Sequence, residues 1–222
     1  SPSLAAWDRS FGEGEVKLAA GPDALEVFFD GANIAGSVNV PRKDLRQRGV
    51  SADLKRLYWP ASPEPEPGVA APEDTQSPIN PANVPPLHVR IADFHLGKAA
   101  YGAATVEATP VSNGMHFDQI TSHSNNIDMR AHGDWTLRDG KYHRSTFGID
   151  LSAQNFGKML DALGYAGSVE GGRIVAHIDA SWAGSPSNFA INKINGGALR
   201  VNITDGRIPD IELGAGRIAG LL

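Results

Sequence analysis

The residues best suited to carry chemistry are seven histidines, three of which stand two positions before an aspartate. The three pairs are His116/Asp118, His132/Asp134 and His177/Asp179. On a β-strand, residues i and i+2 lie on the same face, so each pair would place an imidazole beside a carboxylate, two groups that bind metal ions. A metal site needs three or four converging ligands, and no third ligand stands at a characteristic spacing. The pattern therefore favours a solvated strand face with alternating charge, and we predict no metal site.

The sequence contains no recognisable catalytic motif. It has no cysteine, which rules out disulfides, thiol catalysis and zinc–thiolate sites. No serine stands in a G-x-S-x-G turn, and the carboxylates are scattered singly, so no glycosidase pair is indicated. Gly214 and Gly216 lie in a glycine-rich stretch, but Gly220 comes one position too late for a dinucleotide-binding loop. We therefore expect no enzyme, no catalytic residue and no cofactor.

The charge balance limits the classes of partner. The chain has 222 residues and a net charge of -5, whereas nucleic-acid-binding domains normally carry a basic excess, so we expect no nucleic-acid partner. Its one basic cluster contains Arg42, Lys43, Arg46 and Arg48. A solvated loop is one interpretation of this cluster, and contact with anionic lipid headgroups is the other. The start of the chain has neither a methionine nor a signal peptide, which predicts an excised segment of a longer protein.

Stepwise alternation of apolar and polar residues is the dominant pattern. Positions 127–135, 174–182 and 199–204 follow it most strictly, and Val175 is the one apolar residue at a polar position among them. Strands with one apolar and one wet face are typical of antiparallel sheets. The alternation slips by one position after Asp93, which predicts a β-bulge. Asp139-Gly140 and Asp205-Gly206 are predicted turns. The fold class is therefore mainly β, with antiparallel strands.

Composition divides the chain into three parts. Residues 1–59 form a β-strand block, residues 60–86 form a proline-rich and acid-rich loop, and residues 87–222 form a β domain. The loop offers little apolar surface, so we expect it to be extended or disordered. A short amphipathic helix near 155–163 is predicted by apolar residues at Phe156, Met159, Leu160 and Leu163, with Asn155 as its N-cap. This helix packs on the core or anchors the chain to a membrane or partner, and residues 216–222 are predicted to begin another.

Motifs in the last third of the chain carry a resemblance to a known family. They are Trp182-x-Gly184-x-Pro186-x-x-Phe189, then Gly197-x-Leu199-x-Val201-x-Ile203-x-Asp205-Gly206-x-Ile208, and finally Gly214-x-Gly216-Arg217. This pattern resembles the AsmA-like region of the YhdP family, relatives of the TamB proteins of Gram-negative bacteria. The resemblance covers most of the chain and is most specific between residues 151 and 222.

The resemblance implies a fold and a function. Members of this family are similar to bridge-like lipid-transfer proteins, in which a long curved sheet forms a U-shaped groove lined by apolar side chains. They are anchored in the inner membrane, cross the periplasm and move phospholipid toward the outer membrane. For this chain it implies a periplasmic segment without its anchor, with phospholipid acyl chains as partners alongside inner- and outer-membrane envelope proteins. It transfers no catalytic residue.

Twelve apolar residues of the predicted strands are the candidate lining of such a groove. They are Ile127, Met129, Trp135, Phe147, Ile149, Leu151, Ile174, Ile178, Trp182, Leu199, Val201 and Ile203. Alternating strands also build closed sandwiches, whose inner faces bury each other. The alternative function is therefore a scaffold or assembly module in outer-membrane biogenesis, with the apolar face as ordinary core. The sequence leaves open whether the two strand blocks share one sheet.

Overall fold

A computed structural model describes residues 3–6, 9–60, 79–139, 141–165, 169–189 and 194–207. The described chain contains twelve strands and two α-helices. The strands are β1 (Ser3–Ala6), β2 (Arg9–Ala20), β3 (Ala24–Gly31), β4 (Ile34–Pro41), β5 (Val50–Trp59), β6 (Leu87–Leu96), β7 (Ala99–Val111), β8 (Gly114–His123), β9 (Asp128–Arg138), β10 (Tyr142–Ala153), β11 (Glu170–Ala183) and β12 (Gly196–Arg207). The helices are α1 (Leu45–Arg48) and α2 (Phe156–Ala162), and short 3-10 turns occupy Pro81–Asn83 and Pro186–Asn188.

The strands form one open sheet in which their order in space equals their order in the chain. Strands β2 to β12 make a continuous mixed sheet, and β1 extends it by pairing with β2. Both strand blocks predicted from the sequence therefore belong to the same sheet, because β5 and β6 are hydrogen-bonded neighbours. The prediction of a mainly β fold with one short amphipathic helix is confirmed.

One strand pair departs from the predicted antiparallel arrangement. Strands β5 and β6 are parallel, with Val50 opposite Leu87 and Trp59 opposite Leu96. Parallel neighbours need a long connection that returns the chain from the end of one strand to the start of the next. Residues 60–86 supply that crossover. Strand alternation alone does not reveal the direction of a strand, so this parallel pair could not be predicted from it.

The end of the crossover packs on the sheet, which corrects the prediction that residues 60–86 offer little apolar surface for packing. Pro81 is fully buried, and Val84 packs against the cluster that contains Met115 and Trp182. The Asn80 side chain accepts a hydrogen bond from the backbone N–H of Ala82, which fixes the turn. Apolar residues within the proline-rich stretch therefore cover part of the sheet. Residues 61–78 of the predicted loop lie outside the described residues.

The register of the strands aligns apolar residues into an unbroken row. One residue from each of β2 to β12 stands directly opposite the next along the row. The row is Leu18, Val27, Val38, Ala52, Val89, Val106, Ile120, Ala131, Ile149, Ile178 and Leu199. Directly opposed residues share a face of the sheet. One apolar face therefore runs across eleven strands without a polar interruption in this row.

The other face of the sheet is polar. The row next to the apolar one consists of Lys17, Phe28, Ser37, Asp53, Arg90, Thr105, Thr121, Arg130, Asp150, His177 and Arg200. Phe28 is its single apolar member, and it is exposed. The predicted pattern of one apolar and one wet face therefore holds across the parallel pair as well.

Bulges and a close aromatic contact indicate that the sheet is curved. The register of β6 shifts between Ile91 and Phe94, which confirms the predicted bulge after Asp93. A bulge bends its strand and increases the local twist. The rings of Phe11 on β2 and Trp59 on β5 lie 5.5 Å apart, although three strand spacings would span about 14 Å in a flat sheet. This part of the sheet therefore folds toward itself.

Local predictions met mixed outcomes. Helix α2 begins after Asn155, whose side chain accepts a hydrogen bond from the Lys158 backbone N–H at 3.0 Å, as predicted.

Asp139 has a positive φ at the predicted β9–β10 turn, where Gly140 lies outside the described residues. The predicted turn at Asp205 is wrong, because β12 continues through Arg207. Asp205 takes a positive φ opposite the glycines of β11 at a local irregularity within the strand. The predicted helix at 216–222 lies outside the described residues.

The packing of the crossover makes Val84 a test of this fold. Val84→Asp would place a carboxylate against the apolar cluster, and burying an unpaired polar group costs about 2 to 3 kcal/mol. Val111→Asp, at an exposed position near the end of β7, is the matched control and should change stability by about 0.5 kcal/mol or less. Urea denaturation measures both. Equal effects of the two substitutions would mean that Val84 does not pack on the sheet.

Candidate functional site

The strand register places the twelve predicted lining residues on one face of β9 to β12. Trp135 stands opposite Ser145, which stands opposite Trp182. Met129 of β9 and Leu151 of β10 stand opposite each other further along these two strands. Val201 and Ile203 continue this face onto β12 opposite Ala176 and Ile174. Ile127, immediately before β9, packs in one cluster with Ile174. The predicted residues are therefore brought together, whereas their role as a lipid lining stays a prediction.

Burial divides these twelve residues into three groups. Ile127, Phe147, Ile174 and Trp182 are buried. Met129, Trp135, Ile149, Leu151 and Ile178 are half-buried. Leu199, Val201 and Ile203 are exposed, with Leu199 at 66% of its maximum. The apolar face therefore has a covered centre and an open flank at β12.

Helix α2 covers the apolar face of β9 to β11 at one end of these strands. Met159 of the helix is buried against Ile127, Ala153 and Ile174, and Leu160 and Leu163 pack beside it. Of the two interpretations of this helix, the structure therefore supports packing on the sheet. The reason is the spacing of its apolar residues, which places one side of the helix on the strand face.

Helix α2 also reaches across the curved face toward β7. Gly164, just past the helix, lies beside Lys98 at the β6–β7 turn. Burial raises the pKa of the Tyr101 hydroxyl on β7, and the nearby Tyr165 adds to this shift. Strands β7 and β11 are four spacings apart, about 19 Å in a flat sheet, whereas seven helical residues span only about 10 Å. The sheet therefore curves beneath the helix.

Aromatic rings fill the face at the opposite end of the same strands. Phe147 contacts Phe117 and Trp182, each at a centroid distance of 5.4 Å. Phe189, from the connection between β11 and β12, packs on the Trp182 ring at 5.2 Å. The Trp182 indole N–H donates to the Ser185 carbonyl oxygen at 3.0 Å, so its one polar atom is satisfied. This end of the face is a packed core that the connecting segments cover.

The apolar face continues beyond this covered centre on both sides. On β2, Val16 and Leu18 are exposed, and Leu18 reaches 68% of its maximum. On β12, Leu199, Val201 and Ile203 stand in every second position on the same face. Contiguous exposed apolar surface on a folded protein marks a place where an apolar partner binds. The exposed flanks were not distinguished from the core by the sequence, because the pattern of apolar residues is the same in both.

The predicted His–Asp pairs lie on the polar face, but their closest contacts run between strands. His116 Nδ1 lies 2.8 Å from Asp134 Oδ1, and its other nitrogen is 4.0 Å from Asp118. His177 Nδ1 lies 2.7 Å from Asp150 Oδ1 and its Nε2 lies 3.3 Å from Asp179. The His132 ring lies beside Gly148. The two closest pairings therefore join strands, and only the register could have revealed them.

The same pairing occurs at two sites that sequence reasoning missed. His88 Nδ1 lies 2.5 Å from Glu107 Oε2, and His123 Nδ1 lies 2.5 Å from Asp128 Oδ1. Each is a two-residue pair between neighbouring strands. Within the described ranges, no group of three or more histidine, aspartate or glutamate side chains could hold a metal ion. The imidazole–carboxylate pairs therefore join neighbouring strands on the solvent side of the sheet.

Fold and site together define the class of protein: an open, curved β-sheet protein organised around one apolar face. The family model for the YhdP protein matches residues 1–222, the whole of this chain. The chain therefore belongs to the YhdP family, a family of cell-envelope proteins. No curated protein and no solved structure shows a significant match to it. In the part of the chain that the structure describes, no helix has the length and apolar character to cross a membrane.

The His177 pair predicts a pH-dependent contribution to stability. The hydrogen bond to Asp150 is the main cause that raises the pKa of His177 above 6.5, and burial opposes it in part. A raised pKa in the folded state stabilises the fold fully below pH 6.5, and this stabilisation is lost as the pH rises through the folded pKa. The difference in melting temperature between wild type and His177→Gln should therefore be larger at pH 5.5 than at pH 8.5.

His132→Gln is the matched control for this experiment. His132 is exposed on the same face, and it has no ion pair within the described ranges. Its effect on the melting temperature should change less with pH than that of His177→Gln. A pH-independent effect of His177→Gln would contradict the electrostatic account of the pair.

Proposed function

We propose that this chain is a segment of a periplasm-spanning lipid conduit, which moves phospholipid between the inner and outer membranes through an apolar β-groove. The observation that carries the proposal is the row of eleven opposed apolar residues from Leu18 to Leu199. A conduit has to offer an acyl chain a continuous apolar surface across many strands. Membership of the YhdP family supports this function.

The energetics of lipid transfer explain why continuity matters more than any single residue. Shielding one buried methylene from water is worth about 0.8 kcal/mol, so an acyl chain of about sixteen methylenes gains on the order of 13 kcal/mol. Releasing such a chain into the periplasm would cost the same amount. A surface with repeated, equivalent apolar positions lets a chain slide without leaving an apolar environment. Strong binding at one position would hinder this movement.

The lining of the groove combines the half-buried and exposed members of the candidate set. Met129, Ile149 and Ile178 retain accessible surface on the curved face, and Leu199 and Val201 extend it onto β12. The buried members lie beside these side chains on the same face, where α2 and the segment around Phe189 cover them. The polar face, with its imidazole–carboxylate pairs, is turned to water. This division suits a periplasmic location in a protein anchored to the inner membrane.

A second candidate function is a non-catalytic scaffold or assembly module in outer-membrane biogenesis. The observation in its favour is the covered centre of the face, where Ile127, Phe147, Ile174 and Trp182 are as buried as an ordinary core. In that case the exposed flanks would contact envelope proteins instead of lipid. Neither function includes a catalytic step or a cofactor.

Charged substitutions on the apolar face separate the two functions. Met129→Lys and Ile178→Glu introduce charges at half-buried positions, where a side chain can reach water along an open groove. We expect both variants to fold, as judged by circular dichroism, and to show several-fold weaker crosslinking to a photoactivatable phospholipid. In a scaffold with a closed core, the same charges would unfold the protein, since an unpaired buried charge costs several kcal/mol.

Two further variants calibrate the crosslinking experiment. Val175→Glu places the same charge on β11 but on the polar face, where Val175 is 57% exposed, so crosslinking should match wild type. Ile174→Glu, one position earlier and buried, should unfold the protein. If Met129→Lys and Ile178→Glu fold and crosslink as strongly as Val175→Glu, the apolar face does not carry lipid.

A further inference from the structure

The turn between β4 and β5 carries a cluster of exposed basic side chains. Arg42, Lys43, Arg46 and Arg48 are all exposed, and none forms an ion pair within the described part of the chain. Among the other exposed basic residues, Lys17 pairs with Glu15 at 3.2 Å and Arg207 pairs with Glu170 at 3.1 Å. The four charges of the turn are therefore available to an anionic partner.

Backbone contacts hold this turn in one conformation. The N–H groups of Gln47 and Arg48 both donate to the Asp44 carbonyl oxygen, at 2.9 and 2.8 Å. The Val50 N–H donates to the Pro86 carbonyl oxygen at 2.7 Å and ties the turn to the start of β6. Gly49 has a φ of +68°, and a Cβ there would come within 2.5 Å of the same oxygen. The basic side chains therefore project from a fixed base.

A second basic turn lies at the same end of the sheet. The connections at this end include both the β4–β5 and the β9–β10 turns, because the strands between them alternate in direction apart from the parallel pair β5–β6. Arg138 and Lys141 of the β9–β10 turn are exposed and have no ion pair within the described ranges. We name these six residues the basic rim: Arg42, Lys43, Arg46, Arg48, Arg138 and Lys141.

In the described connections at this end of the sheet, basic side chains outnumber carboxylates, unlike in the chain as a whole. These connections hold the six side chains of the basic rim and three carboxylates, Asp23, Asp44 and Asp139. The whole chain has a net charge of -5 and would be repelled by an anionic membrane. Electrostatic attraction is screened over about 8 Å at physiological salt, so the local charge of the rim decides which surfaces this end can approach.

We propose that the basic rim binds the headgroups of anionic phospholipids at this end of the apolar face. The proposal rests on the lipid-conduit function above and names the headgroup class that it would select. Guanidinium and ammonium groups bind phosphate oxygens by charge-assisted hydrogen bonds, and clusters of them recognise anionic lipid surfaces. Leu25, Val40 and Val50 carry the apolar face to this end of β3, β4 and β5 and are half-buried, so a lipid held at the β4–β5 turn has an apolar surface beside its acyl chains. A nucleic acid is disfavoured by the acidic balance of the chain.

Vesicle binding by the 222-residue chain tests the proposal. The rim variant replaces the four basic residues of the β4–β5 turn together: Arg42→Gln, Lys43→Gln, Arg46→Gln and Arg48→Gln. The matched control is Lys55→Gln, Lys98→Gln, Lys158→Gln and Arg200→Gln. The control removes four exposed charges elsewhere that have no ion pair within the described ranges. We expect wild type and control to sediment with vesicles of phosphatidylglycerol and phosphatidylcholine. The rim variant should bind them at least about tenfold more weakly. High salt should release wild type, and pure phosphatidylcholine vesicles should bind it weakly.

The outcomes separate this proposal from the conduit itself. Equal loss of vesicle binding in the rim variant and the control would mean that net charge alone matters, and would overturn the rim as a site. Tight binding to pure phosphatidylcholine would overturn headgroup selection. Stronger binding to a DNA duplex than to anionic vesicles would also contradict it. Loss of acyl crosslinking in the apolar-face variants is a separate readout, so the conduit can be confirmed while the rim fails, and the reverse.

Discussion

The register between neighbouring strands is the constraint on which the rest of this structure depends. Side chains alternate between the two faces of a strand, so a slip of one residue would move every apolar side chain to the wet face. From Leu18 to Leu199, ten successive pairings keep apolar residues opposite each other. Where the alternation itself slips, as between Ile91 and Phe94, a bulge absorbs the extra residue and restores the face. The apolar face is therefore maintained strand by strand along the whole sheet.

An apolar face that crosses eleven strands is unfavourable in contact with water, and only part of it is covered. At the centre, helix α2 and the segments around Pro81 and Phe189 cover it, which gives the sheet packed clusters that stabilise its curvature. At the flanks, the face is left open on β2 and β12. The covered part supplies stability, and the open part leaves apolar side chains exposed on β2 and β12.

The sequence predicted what depends on local periodicity and missed what depends on long-range pairing. Strict alternation identified the strands and the shared face, and the spacing of Phe156 and Met159 with the Asn155 cap identified α2. The parallel pairing of β5 with β6 was missed, because a strand's direction leaves no mark in its alternation. The burial of Pro81 was missed for a related reason. Proline-rich composition predicts a loop, and it does not show that the segment connects two parallel strands. The alternation likewise could not separate the buried Ile174 from the exposed Ile203, which differ only in what lies above them.

The central claim is that the apolar face accommodates lipid acyl chains. Mass spectrometry of lipids that co-purify with the folded 222-residue chain tests it most directly. The account predicts phospholipid in an amount comparable with the protein, and depletion of that lipid in a folded Ile178→Glu variant but not in Val175→Glu. A monodisperse, folded protein that carries no phospholipid would contradict the account and favour a scaffold.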